Sequence, residues 1–362
     1  MIGILLYGPF ELAPYSRKYM QILKNAGIEY DLIGWRREEK VYYTGKNVYM
    51  YEGRTAKRYS SPIRKILPSI GFRHFVKKII RQKNYDMLIV LTTQTALIFS
   101  DLLLGKYRHK FIFDYRDKSY EYIKPYKMLV NAIVSASSET VISSPWFAEG
   151  LTDKKQYINV HNMQTENLSF RTNVCRKKDD GEKIIAGYVG ALREFEYHKR
   201  LIDAFGNDKR FVFYTYGCGD DNERLAAYAS KYSNTYVHGI YDEKDKYGII
   251  SGFDIMCYNY PSNFVNNGAI ANKYYDSLIM KKPMFVNAQT HLGKFIAENQ
   301  IGVSVPESCT GMTDLIYNWY KKMDAKNFSE TCDRCLNNYI SENEEFEKKV
   351  SETVLRSRGG IK

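Results

Sequence analysis

Short apolar strands alternate with helical stretches twice along this 362-residue chain, and no other feature constrains its fold as strongly. The first series opens with IGILLY at 2–7, and the second opens with KIIAGYVG at 183–190. Strands that alternate with helices form a parallel sheet covered by helices on both faces. The sequence therefore predicts an α/β protein of two doubly wound, Rossmann-like domains, with ligand sites at the carboxyl ends of the strands, in the cleft between the domains.

A polar stretch near 167–182, without strand or helix periodicity, separates the two series. It predicts a first domain at 1–170, a second at 171–345 and a C-terminal tail at 346–362. The opening MIGILLYGPF lacks a basic segment, so we interpret it as a first strand and not as a signal peptide. The six cysteines are scattered, which is typical of a protein in a reducing cytoplasm.

The positive charge of the chain is concentrated in its first half. Residues 1–170 carry 26 Lys and Arg against 15 Asp and Glu, whereas residues 171–362 carry 27 against 26. Within the first half, residues 36–83 alone hold 14 basic and 3 acidic side chains. Such a patch indicates an anionic partner, which could be a phospholipid surface, a nucleic acid or a phosphorylated substrate. A merely solvated basic face is the alternative.

Residues 63–82 place some of these cations beside apolar side chains at helical spacing. This pattern predicts an amphipathic helix that lies in a membrane interface, unless its apolar side is ordinary domain core. No apolar run is long enough for a membrane-spanning helix. The apolar residues of the pattern are Ile70, Phe72, Phe75, Ile79 and Ile80.

The run NKYYDSLIMKKPMFV at 272–286 carries the most specific chemical signal. A helix that begins with Asn272 and Lys273 can present its N-terminus and a cation to an anion, and the missing side chain of the preceding Gly268 leaves the backbone accessible. Ala269, which follows it, is a further binding candidate. The carboxylate of Asp276 can accept hydrogen bonds from two vicinal hydroxyls. Alternatively, Asp276 is only an acid favoured by the dipole near a helix N-terminus.

This run resembles the donor-site helix of GT-B glycosyltransferases, especially family 4 and its relatives. The family pattern of Asn-Lys, an acid, an apolar stretch and Gly-Lys-Pro before a strand corresponds here to Asn272-Lys273, Asp276 and Lys281-Lys282-Pro283. The resemblance implies that Asp276 binds the donor ribose and that the two parallel sheets form the GT-B fold.

Three further stretches resemble the nucleotide domain of the same family. GYVGALREFEYHKRLIDAF at 187–205 resembles its opening unit, which implies close backbone approach at Gly190 and diphosphate-binding cations at Arg193 and Lys199. YTYGCGDD at 214–221 and HGIYDEKD at 238–245 resemble the loops around the donor base, which implies roles for Gly217, Ile240 and Tyr241.

The resemblance is thinner in the first half. GPFELAP at 8–14 corresponds to a loop that reaches the acceptor and the donor phosphates, which implies a role for Gly8. DYRDKSYE at 114–121 follows a strand, and in many relatives such a stretch faces the reacting sugar. Asp117 and Arg116 are the candidates there, and Asp114 is expected to cap the strand. A routine salt bridge between neighbouring residues is the alternative.

Taken together, the resemblance implies a cytoplasmic, metal-independent glycosyltransferase of bacterial surface-polysaccharide assembly, such as capsule or O-antigen synthesis. The donor would be a UDP- or GDP-sugar, with no further cofactor, and the acceptor a lipid-linked or other oligosaccharide. The protein would be peripheral on the anionic inner face of the membrane and would bind no nucleic acid; its oligomeric state stays open. The expected catalytic residues are Asp117, Arg193 and Lys199, without a metal site.

Two other functions remain open at this point. A GT-B nucleotide-sugar epimerase would need more acids and histidines in the cleft, and acceptor-free conversion of UDP-N-acetylglucosamine would reveal it. A nucleic-acid-binding protein would account for the basic half, although the sequence has no recognition motif of that kind. A gel shift at about 150 mM salt would test it, because binding through phosphates alone weakens steeply with salt.

Overall fold

The computed structural model describes residues 1–36, 43–53, 62–153, 155–192, 194–219, 221–357 and 359, with the backbone only for residues 62–67. The chain forms two compact units, Met1–His161 with Ser341–Lys362, and Asn162–Ile340. The chain thus crosses between the units at 161/162 and 340/341, whereas the sequence placed its divisions at 170/171 and 345/346.

The first unit contains a seven-stranded sheet in the order β3-β2-β1-β4-β5-β6-β7, and every strand pair is parallel. Its strands are β1 (Ile2–Leu6), β2 (Tyr30–Trp35), β3 (Val48–Tyr51), β4 (Met87–Leu91), β5 (Phe111–Tyr115), β6 (Glu139–Ile142) and β7 (Tyr157–Asn159). Its helices are α1 (Ser16–Asn25), α2 (Pro62–Lys83), α3 (Thr93–Ile98), α4 (Ser100–Leu104) and α5 (Lys124–Ala136). β1, β4 and β5 are the three central strands in this order, and they are buried along their whole length because helices cover both faces of the sheet.

The second unit contains a six-stranded parallel sheet in the order β10-β9-β8-β11-β12-β13. Its strands are β8 (Ile184–Val189), β9 (Phe211–Tyr216), β10 (Thr235–Val237), β11 (Ile255–Tyr258), β12 (Met284–Asn287) and β13 (Gly302–Val305). The helices that follow are α6 (Phe195–Gly206), α7 (Asn222–Ala229), α8 (Lys246–Ser251), α9 (Asn272–Ile279), α10 (His291–Glu298), α11 (Met312–Lys322) and α12 (Ala325–Arg356). The prediction of two doubly wound α/β sheets is confirmed.

The long helix α12 begins in the second unit and ends in the first. Its last turns place Phe346, Val350 and Val354 on one side, and all three are buried in the core of the first unit. The ring of Phe346 packs edge-on against Tyr19 of α1, with 5.3 Å between ring centroids. The segment interpreted as a tail is therefore, through Arg356, a helix that completes the first core.

The predicted amphipathic helix exists as α2, but its apolar side is not free to enter a membrane. Phe72, Ile79 and Ile80 are buried, and the ring of Phe72 stacks on Trp35 of β2 with 5.6 Å between centroids. The interpretation of this face as a membrane interface is therefore wrong, since the face packs in the domain core. Ile70 remains 57% exposed. Within the described ranges, no helix combines the length and the apolar character needed to cross a bilayer.

Candidate functional site

Two glycine loops run side by side where β8 and β9 end. The N–H of Gly190 donates to the carbonyl of Tyr216 at 2.9 Å, and the N–H of Leu192 donates to that of Cys218 at 2.9 Å. Gly217 has φ +148°, and a Cβ there would lie 1.8 Å from the carbonyl oxygen of Gly190. Only glycine allows this approach, so the loops have a fixed backbone surface at the carboxyl ends of the strands.

Lys273, in the first turn of α9, points at this surface. A Cβ on Gly190 would lie 3.2 Å from its Nζ, so the missing side chain makes room for the ammonium. The ammonium lies 3.6 Å from the ring centroid of Tyr188 and 4.8 Å from that of Tyr260. Lys273 is only 8% exposed, and its Nζ has no hydrogen-bond or ion-pair partner among the described residues.

A buried cation without an anion is unusual, because desolvation of a charge is costly unless a partner compensates it. The two aromatic faces supply part of that compensation through cation–π attraction. The first turn of α9 adds to the positive potential, since Ala271 at its N-cap has no side-chain acceptor for the free N–H groups. The arrangement can therefore hold an anion beside the glycine loops, and we name this position the candidate anion site.

A cavity of about 270 Å³ opens beside the candidate anion site, in the second unit. Tyr260 lies next to the ammonium of Lys273 and also lines the cavity. The hydroxyl of Tyr188 donates to the carbonyl of Ala191, another lining residue, at 2.7 Å. Glu307 accepts from the N–H of Ser262, in the loop after Tyr260, at 2.9 Å. The cavity is lined by Ala191, Tyr258, Tyr260, Asn266, Ala269, Ala271, Val286, Thr290 and Leu292.

Asp276 lies on α9 one turn after Lys273 and is buried. Its Oδ1 accepts from the hydroxyl of Tyr247 at 2.6 Å and lies 3.4 Å from the ammonium of Lys246. Burial raises the pKa of this carboxyl, and Lys246 opposes that shift. Its Oδ2 accepts no hydrogen bond from the described residues.

Sequence reasoning missed several residues that the fold brings to this site. His198, on the inner side of α6, packs edge-on against Tyr188 with 4.9 Å between centroids. Burial and then Lys273 lower its pKa to about 4, so it is neutral at physiological pH. Tyr188, Lys246 and Tyr247 were missed as well. The sequence contained a signal for His198, because it follows the apolar spacing of α6.

Not every predicted residue of the second unit lies around Lys273. Arg193 lies outside the described residues. Lys199 has its Nζ 3.9 Å from Glu196 of α6 and 5.2 Å from the ring centroid of Tyr228 of α7, and its role stays a prediction. Ile240 is 82% exposed.

Other predicted residues frame the site. Gly268 is buried at the end of a short turn before α9, Ala269 lines the cavity, and Asn272 is exposed at the helix start. Tyr241 is half-buried, and burial together with Glu243 and Asp276 raises its pKa to about 12.

In the first unit, the structure gives Arg116 a partner. Its Nε donates to Asp114 at 2.7 Å and its Nη2 donates to the other carboxylate oxygen at 3.0 Å, while the guanidinium lies 4.2 Å from the ring centroid of Tyr15. Asp114 therefore forms a buried ion pair instead of a strand cap, because alternate residues of a strand share a face.

Asp117 is exposed, and the carbonyl of Gly8 accepts from the N–H of Trp35 at 3.0 Å. The roles of Asp117 and Gly8 stay predictions.

No family model and no curated protein matches this sequence. Among solved structures, sucrose-phosphate synthase from Thermosynechococcus elongatus has a TM-score of 0.69 at 12% identity and covers 98% of this chain and 99% of its own. The lipopolysaccharide outer core galactosyltransferase WaaB has a TM-score of 0.64 at 11% identity, over 92% and 94%. Anabaena HepE in complex with UDP has a TM-score of 0.64 at 10% identity, over 97% and 99%.

The chain therefore has the GT-B fold, and that prediction is confirmed. A putative UDP-N-acetylglucosamine 2-epimerase from Listeria monocytogenes is also similar, with a TM-score of 0.53 at 10% identity over 95% of this chain and 96% of its own. At such identities the likeness shows the fold alone, so the reaction has to be argued from the site.

Proposed function

We propose that this protein is a glycosyltransferase that moves a sugar from a nucleotide-diphospho sugar to a saccharide acceptor. The observation that carries the proposal is the buried ammonium of Lys273, which has no partner among the described residues and faces the Gly190 loop. A diphosphate is the anion that best fits a cation, a helix N-terminus and an open backbone in one place. The nearby Asp276, whose Oδ2 accepts no hydrogen bond from the described residues, suits the ribose of the same ligand.

The site would then act on the leaving group. When the glycosidic bond to the diphosphate breaks, negative charge develops on the nucleoside diphosphate, and Lys273 and the N–H groups of α9 would stabilise it without reorganising. His198 is neutral and adds no competing charge. Arg193 and Lys199 are proposed to contribute further positive charge, and Asp117 to face the reacting sugar.

The acceptor is proposed to be a lipid-linked saccharide of bacterial surface-polysaccharide assembly. This setting is supported by the resemblance of α9 to the donor helix of family 4 and by the fold shared with a lipopolysaccharide galactosyltransferase. The fold shared with a UDP complex supports a UDP-sugar donor, with GDP as the alternative base. The protein is proposed to work in the cytoplasm, peripheral on the inner face of the membrane.

Asp276 is expected to bind the ribose hydroxyls. The test is a double-mutant cycle in which one change is made in the protein, at Asp276, and the other in the nucleotide, at its 2′-hydroxyl. Replacing Asp276 by Asn should weaken binding of UDP, or of GDP if that is the donor nucleotide, by about 1.5–3 kcal/mol, because a charge-assisted hydrogen bond is lost. Calorimetry should also show that removal of the 2′-hydroxyl from the nucleotide weakens binding to the wild type but much less to Asp276→Asn.

Tyr247→Phe is the matched control, since it removes a hydrogen bond to Oδ1 and keeps the carboxylate. It should retain most of the discrimination between the ribose and the deoxyribose nucleotide. Equal discrimination by the wild type and Asp276→Asn would show that Asp276 serves the fold and not the ligand.

Binding of the donor should not need a divalent metal, because Lys273 takes the position of a counter-cation. Titrations of UDP in EDTA and in magnesium chloride should give affinities that agree within a factor of about two, well below the tenfold change that 1.4 kcal/mol produces. A requirement for magnesium would contradict the metal-independent mechanism.

An epimerase of the same fold is the rival reaction. It differs in needing no acceptor, so incubation of the protein with UDP-N-acetylglucosamine alone separates the two. Conversion to an isomer in the absence of any acceptor would favour the epimerase. We expect no conversion.

A further inference from the structure

An exposed apolar surface follows β5 in the first unit, at the carboxyl edge of the sheet. Tyr120, Tyr122, Ile123 and Met128 are 53%, 64%, 45% and 63% exposed. With the exposed Lys124 they form what we name the tyrosine patch. The ring of Tyr120 lies 6.1 Å from Tyr122, centroid to centroid, so the aromatic part is continuous. Contiguous exposed apolar surface is a feature of interaction sites.

The local structure turns the apolar side chains outward and the acid inward. Between 118 and 131 the only acid is Glu121, and it is buried. Its Oε1 accepts from the hydroxyl of Tyr115 at 2.9 Å, and its Oε2 accepts from the N–H of Ser119 at 2.5 Å. The loop is thereby anchored to β5. Lys124 and Lys127 form no ion pair among the described residues, so the patch is apolar, aromatic and positive.

We propose that the tyrosine patch is the surface by which this protein docks on an anionic phospholipid bilayer. Tyrosine suits the boundary between headgroups and acyl chains, because its ring is apolar and its hydroxyl is polar. Lysines beside it are attracted to anionic headgroups.

The charge of the two units favours an anionic surface as the partner. The first unit, Met1–His161 with Ser341–Lys362, has 31 Lys and Arg against 19 Asp and Glu, a net of +12. The second unit has 22 of each, a net of zero. The entire net charge of the chain therefore lies in the unit that carries the patch, which gives long-range attraction to an anionic surface.

This inference rests on the proposed function for its purpose, since it brings the enzyme to a lipid-linked acceptor, but its test uses no reaction. It also relocates the membrane contact from α2, whose apolar face is core, to the loop before α5 and its first turns.

The experiment is co-sedimentation of the whole protein with vesicles of phosphatidylcholine alone and of phosphatidylcholine mixed with phosphatidylglycerol. The wild type should bind the mixed vesicles, with affinity falling as salt rises, and should bind the neutral ones much less. The variant Tyr120→Ser/Ile123→Ser/Met128→Ser/Lys124→Glu should lose at least about tenfold in affinity, since apolar burial is removed and one positive charge becomes negative.

A matched control is Ile70→Ser/Lys78→Glu on α2, where both side chains are also exposed. It should bind the mixed vesicles as the wild type does. Both variants change exposed side chains, so their thermal unfolding should match the wild type and their UDP affinity should be unchanged. Failure of UDP to bind any form would count against the proposed function and leave the vesicle result standing.

Three results would overturn the inference. These are no binding of the wild type to either vesicle, equal binding to neutral and anionic vesicles, and loss of binding in the α2 variant instead of the patch variant.

Discussion

Replacing Lys273 by methionine should abolish tight binding of the donor diphosphate while leaving the folded protein as stable as before or more stable. The variant removes the ammonium but retains an unbranched side chain that fills the space between Tyr188 and Tyr260. Loss of one charge-assisted contact should weaken UDP binding by about 1.5–3 kcal/mol. Turnover should fall further, roughly 10²–10³-fold, because charge on the leaving diphosphate is greatest in the transition state.

The expected stability of Lys273→Met follows from the absence of an anionic or hydrogen-bonding partner for the ammonium among the described residues. Lys273 is buried without an ion pair or hydrogen bond among the described residues, so the free protein bears a desolvation cost that methionine does not have. Residues that serve binding often lower the stability of the folded protein, so their replacement can raise it. Thermal unfolding without ligand should therefore show an unchanged or higher midpoint for Lys273→Met.

Calorimetry with the nucleoside diphosphate and with the nucleoside alone separates a phosphate contact from a general disturbance. Lys273→Met should lose affinity for UDP, or GDP if that is the donor nucleotide, and keep its affinity for uridine or guanosine. Lys326→Met is the matched control, since Lys326 is exposed and pairs only loosely with Glu330 at 4.0 Å. Undiminished affinity of folded Lys273→Met for the diphosphate would remove this residue from the site.

The fold could be predicted from the sequence because its signal is local. Strands such as IGILL and MLIVL have apolar side chains on both faces, and a sheet buries both faces only when helices cover it on both sides. The helix of Asn272, Lys273 and Asp276 could also be predicted, since its residues are contiguous and its spacing puts Lys273 and Asp276 on one side.

The partners of these residues could not be predicted, because tertiary structure brings them together. Asp276 contacts Tyr247, and Lys273 contacts Tyr188, from elements far away in sequence. The same reason explains the misreading of α2. Periodicity shows that a helix has an apolar side, but not whether core or lipid covers it.

One error was avoidable from the sequence. Asp114 and Arg116 are alternate residues at the end of a strand and so share a face, which makes a mutual ion pair more direct than a strand cap. The 2.7 Å contact between them follows from this spacing. By contrast, the packing of Phe346 and Val350 into the first unit depends on α12 crossing between units, which no local pattern indicates.

Gly217→Ala should be among the most damaging single substitutions in the second unit. A Cβ at this position would lie 1.8 Å from the carbonyl oxygen of Gly190, and the φ of +148° is one that side chains rarely adopt. Both effects act on backbone, which cannot move aside as a flexible side chain does. Strain and overlap together should lower the free energy of unfolding by about 3 kcal/mol or more. For a unit of this size, that corresponds to a fall of roughly 6–12 °C in the midpoint of thermal unfolding.

Two further glycines make this prediction specific. Gly219→Ala would place a Cβ 1.8 Å from the carbonyl of Leu192 without a positive φ, so it measures the overlap alone and should be less damaging than Gly217→Ala. Gly248→Ala lies in α8 with no atom within 4 Å of the added Cβ, and it should stabilise the protein by about 0.4–1 kcal/mol. Because the loops of Gly190 and Gly217 also form the surface that faces Lys273, any Gly217→Ala protein that still folds should bind the diphosphate more weakly than Gly219→Ala. Equal unfolding midpoints for Gly217→Ala and Gly248→Ala would show that the two loops do not approach as closely as the structure has them.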